Sequence, residues 1–374
     1  MKYKIFISAG EVSGDLHASY LLNEILSIDK NIYSYGFGSL KLKKLGFDLL
    51  ADLSKNSSVG FTEALPNVIP AIFLLRKAQY IFKNKKPDLV ILIDNQGFNF
   101  KLAEIAKKNN IKVAYYIAPQ EWIWGFKNGA KKVITLTDKI YAIFKKEYEL
   151  YYKLTDKVEY VGHPLLDILK KNNKILIRKE LNLNNELVIG LMPGSRKKEI
   201  DRLLPIFLET TNKLRNYYKN IDFIIIIPEI WEYYLKKFFK IDNIKIFSGD
   251  SSYFMQACDL ILASSGTVTL EATLLNIPII SNYKLSYISY KIAKYLIKTD
   301  YFSLPNIISN KKIIEEFIQR DVNSRNLFEV SVKILENRDK IDYSEIKNFL
   351  LPYGAIKKTA NSIYSFLKEI KNQQ

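Results

Sequence analysis

The sequence predicts an α/β protein in which one plan, a doubly wound parallel sheet with helices on both faces, is built twice in tandem. Two observations carry this. Short, almost wholly apolar runs alternate with stretches of helical period, as expected when parallel strands are covered on both faces. That alternation lapses once, in the Lys/Asn-rich "KKNNKILIRKELNLNNE", and then restarts.

In the first half the strand runs are "KIFISAG" (4–10), "IYSYGFG" (32–38), "DLVILID" (88–94), "KVAYYIAP" (112–119), "KIYAIF" (139–144) and "VEYVGHP" (158–164). Amphipathic stretches such as "HASYLLNEILS" and "NFKLAEIAKKN" lie between them. A linker is expected within 166–186. The second half repeats the grammar with "LVIGLMPGSR" (187–196), "DFIIIIP" (222–228), "IKIFSG" (244–249), "DLILASSGT" (259–267) and "IPIISNY" (277–283). From about residue 284 onward the pattern is helical. The expected organisation is two Rossmann-like domains, 1–170 and 186–340, facing across a cleft. A helical tail, 341–374, packs back on the first domain or on a partner chain.

Composition narrows the classes. With 374 residues, 48% hydrophobic and 25% charged, the chain is long enough for two cores and too apolar for disorder. One cysteine and two histidines argue against a disulfide framework and a zinc site. Lys+Arg 56 against Asp+Glu 39 leave a net charge of +17. The excess fits either anionic partners or a genome-wide lysine bias, and a basic surface leans on anionic membranes in both cases. Neither an export signal nor a run of about 20 apolar residues is read from the sequence. The stretch "FTEALPNVIPAIFLLRKAQYIF" (61–82) crowds Phe61, Leu65, Val68, Ile69, Ile72 and Phe73 beside cations. It reads either as a core-facing helix or as an interfacial patch that meets a bilayer or an acyl chain.

In open α/β sheets, ligands bind beyond the carboxyl ends of the strands, so the loops there matter most. "LMPGSRKKEI" leaves its strand through Gly194, Ser195 and Arg196. Glycine admits close backbone approach, Ser195 can cap the next helix, and a helix N-terminus beside an arginine suits a phosphate. "LILASSGTVTLEA" offers Ser265, Gly266 and Thr267 for a diphosphate, and one turn later Glu271 for a ribose diol. The alternative for each loop is an ordinary turn and cap. In the first half, Asp94 stands at the mouth of a very apolar strand, as a partly desolvated general base or as a helix cap. Gln120 and Trp122 follow the next strand in a pattern common to sugar and lipid clefts and also to aromatic cores. His163 either reaches a substrate or is a satisfied structural histidine.

In order and spacing, "SAGEVSGD", "ILIDNQGFN", "YYIAPQEWIWG", "VGHP", "LMPGSRKKEI", "ASSGTVTLEATL" and "KTDYFSLPN" resemble lipid-A-disaccharide synthase, from residue 5 to about residue 310. The resemblance implies an inverting, metal-independent glycosyltransferase of the GT-B fold without a cofactor. Its substrates are UDP-2,3-diacylglucosamine and 2,3-diacylglucosamine 1-phosphate (lipid X), and its products a β-1′,6-linked disaccharide 1-phosphate and UDP. By position it implies Asp94 as the base for the acceptor 6-hydroxyl, the 193–196 loop as the UDP-phosphate site, Glu271 on the ribose side, and Asn306 near the nucleotide. Glu11, Ser13 and Asp15 of "SAGEVSGD" shape the floor where acceptor and donor sugar meet, with Glu11 and Asp15 grouped with the catalytic acids and Asn99 retained nearby. The loop has Gly10 and Gly14 but no third glycine, and so fails the dinucleotide fingerprint.

The resemblance also implies a membrane or acyl patch at 61–76, peripheral attachment to the cytoplasmic face of the inner membrane, a homodimer exchanging C-terminal segments, and no nucleic-acid partner. One departure stands out: where many relatives carry a second acid three residues after the first, this chain has Gly97. Two other readings compete. A UDP-N-acetylglucosamine 2-epimerase-like enzyme shares the architecture and the UDP pocket but needs no lipid acceptor. A non-enzymatic basic module for membranes or nucleic acid explains the charge and leaves the paired loops unexplained.

Overall fold

The computed structural model describes residues 3–10, 12–53, 68–124, 127–286, 290–291 and 299–373. The chain divides into a first unit, Met1–Ile168 with Leu350–Gln374, and a second, Leu169–Tyr295 with Thr299–Phe349.

Among the described residues the first unit holds seven parallel strands: β1 (Tyr3–Ala9), β2 (Ile32–Gly38), β3 (Asp48–Asp52), β4 (Leu89–Ile93), β5 (Lys112–Tyr116), β6 (Lys139–Ala142) and β7 (Val158–Tyr160), in the order β3-β2-β1-β4-β5-β6-β7. The central strand "LVILI" is buried along its whole length, which is why it reads as an unbroken apolar run. Strands β1 and β4 pair from Ile5↔Leu89 to Ala9↔Ile93, so their carboxyl ends lie side by side. The order reverses between them, making this the switch point of the sheet. Helices α1 (Val12–Ile28), α2 (Val68–Asn84) and α3 (Gln96–Lys108) belong to this unit.

The second unit repeats the plan with β8 (Leu187–Met192), β9 (Ile221–Ile226), β10 (Lys245–Phe247), β11 (Leu260–Ser264), β12 (Ile279–Tyr283) and β13 (Glu315–Ile318), ordered β10-β9-β8-β11-β12-β13. Its switch point falls between β8 and β11, paired from Ile189↔Leu260 to Met192↔Ala263. Helix α4 (Lys174–Glu180), capped by Asn173, lies within the stretch expected as a linker. It is anchored through Lys174 and Arg178, 2.7 and 2.5 Å from the buried Asp259 carboxylate, which also accepts from the Val188 N–H at 2.7 Å. Helix α5 (Lys197–Tyr217) buries Ile200, Leu203, Leu204, Phe207, Thr210, Thr211 and Leu214, one face at helical spacing. Helices α6 (Thr267–Leu274) and α7 (Leu304–Ser309) follow β11 and β12.

Two strands differ from the sequence expectation. The segment "DLLAD" forms β3, and "EEFI" forms β13 inside the region expected to be helical. Both are edge strands, half-buried and acidic, so they lack the apolar run that marks the central ones.

The C-terminal helix α8 (Ala355–Asn372) returns to the first unit and packs along α1. The Asp167 carboxylate accepts from the Gly354 and Ile356 N–H groups at 2.7 and 3.0 Å, and the Tyr364 hydroxyl lies 3.2 Å from Asp29. The buried side chains of α8 include Ile356, Ala360, Ile363 and Leu367, a stripe of helical period.

Both histidines of the chain are buried in this unit, ring centroids 6.3 Å apart. Burial, with the Lys41 charge, lowers His17 to about 4. Burial, with His17 beside it, also lowers His163. Between about 4 and the ordinary 6.5 the unfolded chain takes up a proton that native His17 refuses, so stability falls as pH drops through this window and levels off below it. In denaturant titrations, the wild-type chain should lose stability relative to His17→Phe by up to about 1.4 kcal/mol per pH unit across that range. Parallel pH curves for the two chains would contradict a neutral buried His17.

Candidate active site

In the second unit, the chain leaves β8 through Pro193 into Gly194, whose φ of 123° and tight surroundings demand glycine. A Cβ there would lie 2.2 Å from Glu199 Oε2. The expected cap is displaced by one residue. Arg196, not Ser195, is the N-cap of α5, and it makes no side-chain cap bond. The reason is Glu199, one turn into the helix: its Oε2 accepts from the Ser195 N–H at 3.1 Å, while Oε1 lies 2.7 Å from Arg196 Nη1. Trp231 Nε1 donates to the Ser195 carbonyl at 2.8 Å and seats the loop from outside.

The second loop leaves β11 beside it. The Ser265 N–H donates to Asn282 O at 2.8 Å and its hydroxyl to Phe302 O at 3.1 Å, fixing the turn. Gly266, the N-cap of α6, is exposed, with nothing within 4 Å of the position a Cβ would take. Thr267 opens α6, and Glu271 lies half-buried one turn on. Two helix N-termini thus stand together at the switch point, where unpaired N–H groups and aligned dipoles favour an anion.

Asn306, expected near the nucleotide, is tied into its own segment. It is fully buried, its Oδ1 accepting from the Ile313 and Ile314 N–H groups at 2.7 and 2.9 Å. Its Nδ2 donates to Ile314 O at 3.0 Å and to Glu316 at 3.1 Å. With its amide bonded to the protein's own groups, Asn306 holds the segment after β12 in place.

In the first unit, Asp94 follows β4 directly. It and Asn95 both adopt left-handed backbone conformations, φ 52° and 44°. Such geometry costs about 1 kcal/mol or more per residue and persists where the surroundings enforce it. Here the Asp94 carbonyl accepts from Asn99 Nδ2 at 2.7 Å and from the Tyr115 hydroxyl at 2.8 Å. Buried Asn99 in turn accepts from Ser8 Oγ at 2.7 Å. Gly10 makes room for Asn95, whose Nδ2 lies 1.8 Å from where a Cβ would be, and Gly14 approaches Asp94 Cβ. The N-cap position of α3 is Asn95, without a side-chain cap bond. The half-buried Asp94 carboxylate stands at the switch point. Gly97 is exposed with open space around it.

Two other acceptor-side candidates are buried. Asp15 is almost fully buried and takes up Ser39 through both its N–H and its hydroxyl, so it ties α1 to the end of β2. Burial raises its pKa, an effect the Ser39 bonds oppose. His163 accepts from the Leu165 N–H at 3.2 Å and lies buried against Phe144. Ser13 and Gln120 are half-buried, and Trp122 packs on Phe144 beneath Lys146. Glu11, Phe61 and Leu65, together with the side chain of Val68, lie outside the described residues.

One acid, Glu199, escaped the sequence reading. Glu199 shows only as an acid three residues after Arg196. Glu121 is buried, accepting from Gln96 Nε2 at 2.6 Å; its Oε2 has no hydrogen-bond partner among the described residues, and burial raises its pKa. Among the described residues no group of three or more His, Cys, Asp or Glu side chains is placed to hold a metal ion.

Outside the loops, α2 turns an apolar face outward. Ile69 is 80% exposed, Phe73 70%, Tyr80 69% and Ile72 45%, while Ala78, Ile81 and Phe82 pack inward. The core-facing reading therefore fails for Ile69, Ile72 and Phe73. Among the described residues no helix is long and apolar enough to cross a membrane.

The family model described as lipid-A-disaccharide synthetase matches residues 5–369. The chain belongs to this family. It is 34% identical over 329 residues to the lipid-A-disaccharide synthase of Geobacter sulfurreducens, covering 86% of this chain and 85% of that one. To that of Persephonella marina it is 33% identical over 377 residues, covering 96% and 98%. Among solved structures, a putative UDP-N-acetylglucosamine 2-epimerase from Listeria monocytogenes aligns with a TM-score of 0.67 at 14% identity, over 100% of this chain and 98% of that one. The UDP-GlcNAc 2-epimerase of Neisseria meningitidis aligns at 0.63 and 16%, over 98% and 99%. These likenesses establish the shared two-domain fold. As a lipid-A-disaccharide synthase family member, the chain is a glycosyltransferase that makes the lipid A disaccharide.

Proposed function

We propose that the second unit holds the UDP of UDP-2,3-diacylglucosamine, and that Asp94 of the first unit activates the 6-hydroxyl of lipid X. The observation that carries this reading is the pair of switch points. One offers two helix N-termini with Arg196, and the other a carboxylate on an enforced left-handed turn.

Asp94 takes the acceptor proton as the 6-oxygen forms its bond to the anomeric carbon. The bond from that carbon to the β-phosphate oxygen breaks on the opposite face, which inverts the centre. The electron pair leaves with UDP, and the developing charge meets Arg196 and the N–H groups at the heads of α5 and α6. These fixed dipoles and the guanidinium supply the stabilisation that a divalent cation supplies in other transferases, so no metal or cofactor is needed.

The two acyl chains of each substrate stay in the membrane. The outward apolar face of α2, with Arg76, Lys77 and Lys83 beside it, supports peripheral binding to the anionic cytoplasmic surface of the inner membrane. A homodimer that exchanges C-terminal segments would use the α1–α8 contact between chains, and sedimentation velocity decides between dimer and monomer.

In mixed micelles, wild type should form disaccharide 1-phosphate only when both UDP-2,3-diacylglucosamine and lipid X are present, as read by mass spectrometry. Asp94→Asn should lower turnover by about 10²- to 10⁴-fold while UDP binding is retained. Arg196→Ala should weaken UDP binding itself. A wild-type chain that binds UDP without making disaccharide, or that epimerises UDP-N-acetylglucosamine, would overturn the substrate assignment. Replacing Ile69, Ile72 and Phe73 together with serine should abolish cosedimentation with phosphatidylglycerol vesicles, with the fold kept by circular dichroism. Unchanged cosedimentation would remove α2 from the membrane surface.

A further inference from the structure

The anion site at the head of α5 already contains an anion. Glu199 bends back over the helix N-terminus and brings Oε2 to 3.1 Å from the Ser195 N–H and Oε1 to 2.7 Å from Arg196 Nη1. Its carboxylate fills the space left by the missing side chain of Gly194, 2.2 Å from where a Cβ would lie. The pair is well shielded, with 17% and 18% of the Arg196 and Glu199 side chains exposed. The next cation, Lys197, is turned to Asp201 at 2.8 Å and to the Tyr234 hydroxyl at 2.7 Å. The N–H and guanidinium groups that a diphosphate would engage are therefore held by a carboxylate of the same charge sign.

We propose that Glu199 is a resident counter-anion of the donor site. It keeps the 194–196 loop and Arg196 in place while no donor is bound, gives up both contacts to the diphosphate, and returns as UDP departs. A carboxylate left within about 4 Å of a phosphate oxygen in a shielded site is repelled strongly, so binding and the return of Glu199 exclude one another. The consequence is a weaker hold on UDP and a faster release of that product than the same loop would give with a neutral residue. An ordinary helix-capping glutamate does neither, since its removal only loosens the loop.

The inference rests on the reading of residues 193–196 as the diphosphate site, and calorimetric titration with UDP and with uridine separates the two. Glu199→Gln keeps an oxygen that can accept from the Ser195 N–H while removing the charge. It should bind UDP about tenfold more tightly than wild type, bind uridine as wild type does, and show stronger inhibition by product UDP in turnover. If that chain does not fold, Glu199→Ala carries the same comparison. UDP affinity equal to or weaker than wild type in the neutral variant, with Arg196→Ala still weakening UDP, overturns the counter-anion role and leaves Glu199 as a cap. No UDP binding by wild type, or none of it lost in Arg196→Ala, overturns the site reading, and the inference with it.

Discussion

Parallel pairing at the point where strand order reverses is the constraint on which the rest of this molecule depends. When two adjacent parallel strands send their chains to opposite faces of a sheet, no connection fills the space beyond their carboxyl ends. Pairing of Ala9 with Ile93 in one unit and of Ala263 with Met192 in the other opens that space twice. The candidate groups Asp94, Gly194, Arg196 and Gly266 stand on the loops that leave three of these four strands, β4, β8 and β11.

The two openings are furnished by different means. In the second unit the candidate groups are largely backbone: N–H donors at the heads of α5 and α6, beside glycines that leave room for another group to approach. In the first the backbone is bent to present a side chain. Two successive left-handed residues turn Asp94 out of an apolar strand, and the Ser8–Asn99 and Tyr115 bonds hold the turn from beneath. Helix α8 lies along α1, the helix that begins next to this opening.

What could be read in advance follows from where each partner lies along the chain. Central strands such as "LVILI" and "LVIGLM" announce themselves because both faces are covered, and the glycine- and serine-rich loops after them are local signals. Edge strands β3 and β13 carry acids and are half-buried, so their alternation is lost in noise. Asp15, Asn306 and His163 sit in site motifs, but their surroundings could not be read there. Their burial and partners are set by the fold, as Ser39 is brought to Asp15 across 24 positions of sequence and Phe144 to His163. Glu199 is the opposite case. Its partner lies only three residues away, yet an acid after "PGSRKK" reads as routine helix chemistry until the empty side of Gly194 is seen to receive it.

The central claim is that the donor's diphosphate sits at the second switch point, against the heads of α5 and α6. A crystal structure of the chain with UDP tests it most directly. The account predicts phosphate oxygens within hydrogen-bond distance of the Ser195 N–H and the Arg196 guanidinium, near Gly266, with the ribose toward Glu271. A diphosphate bound on the first unit's loops, or well ordered elsewhere on the second unit, would contradict it.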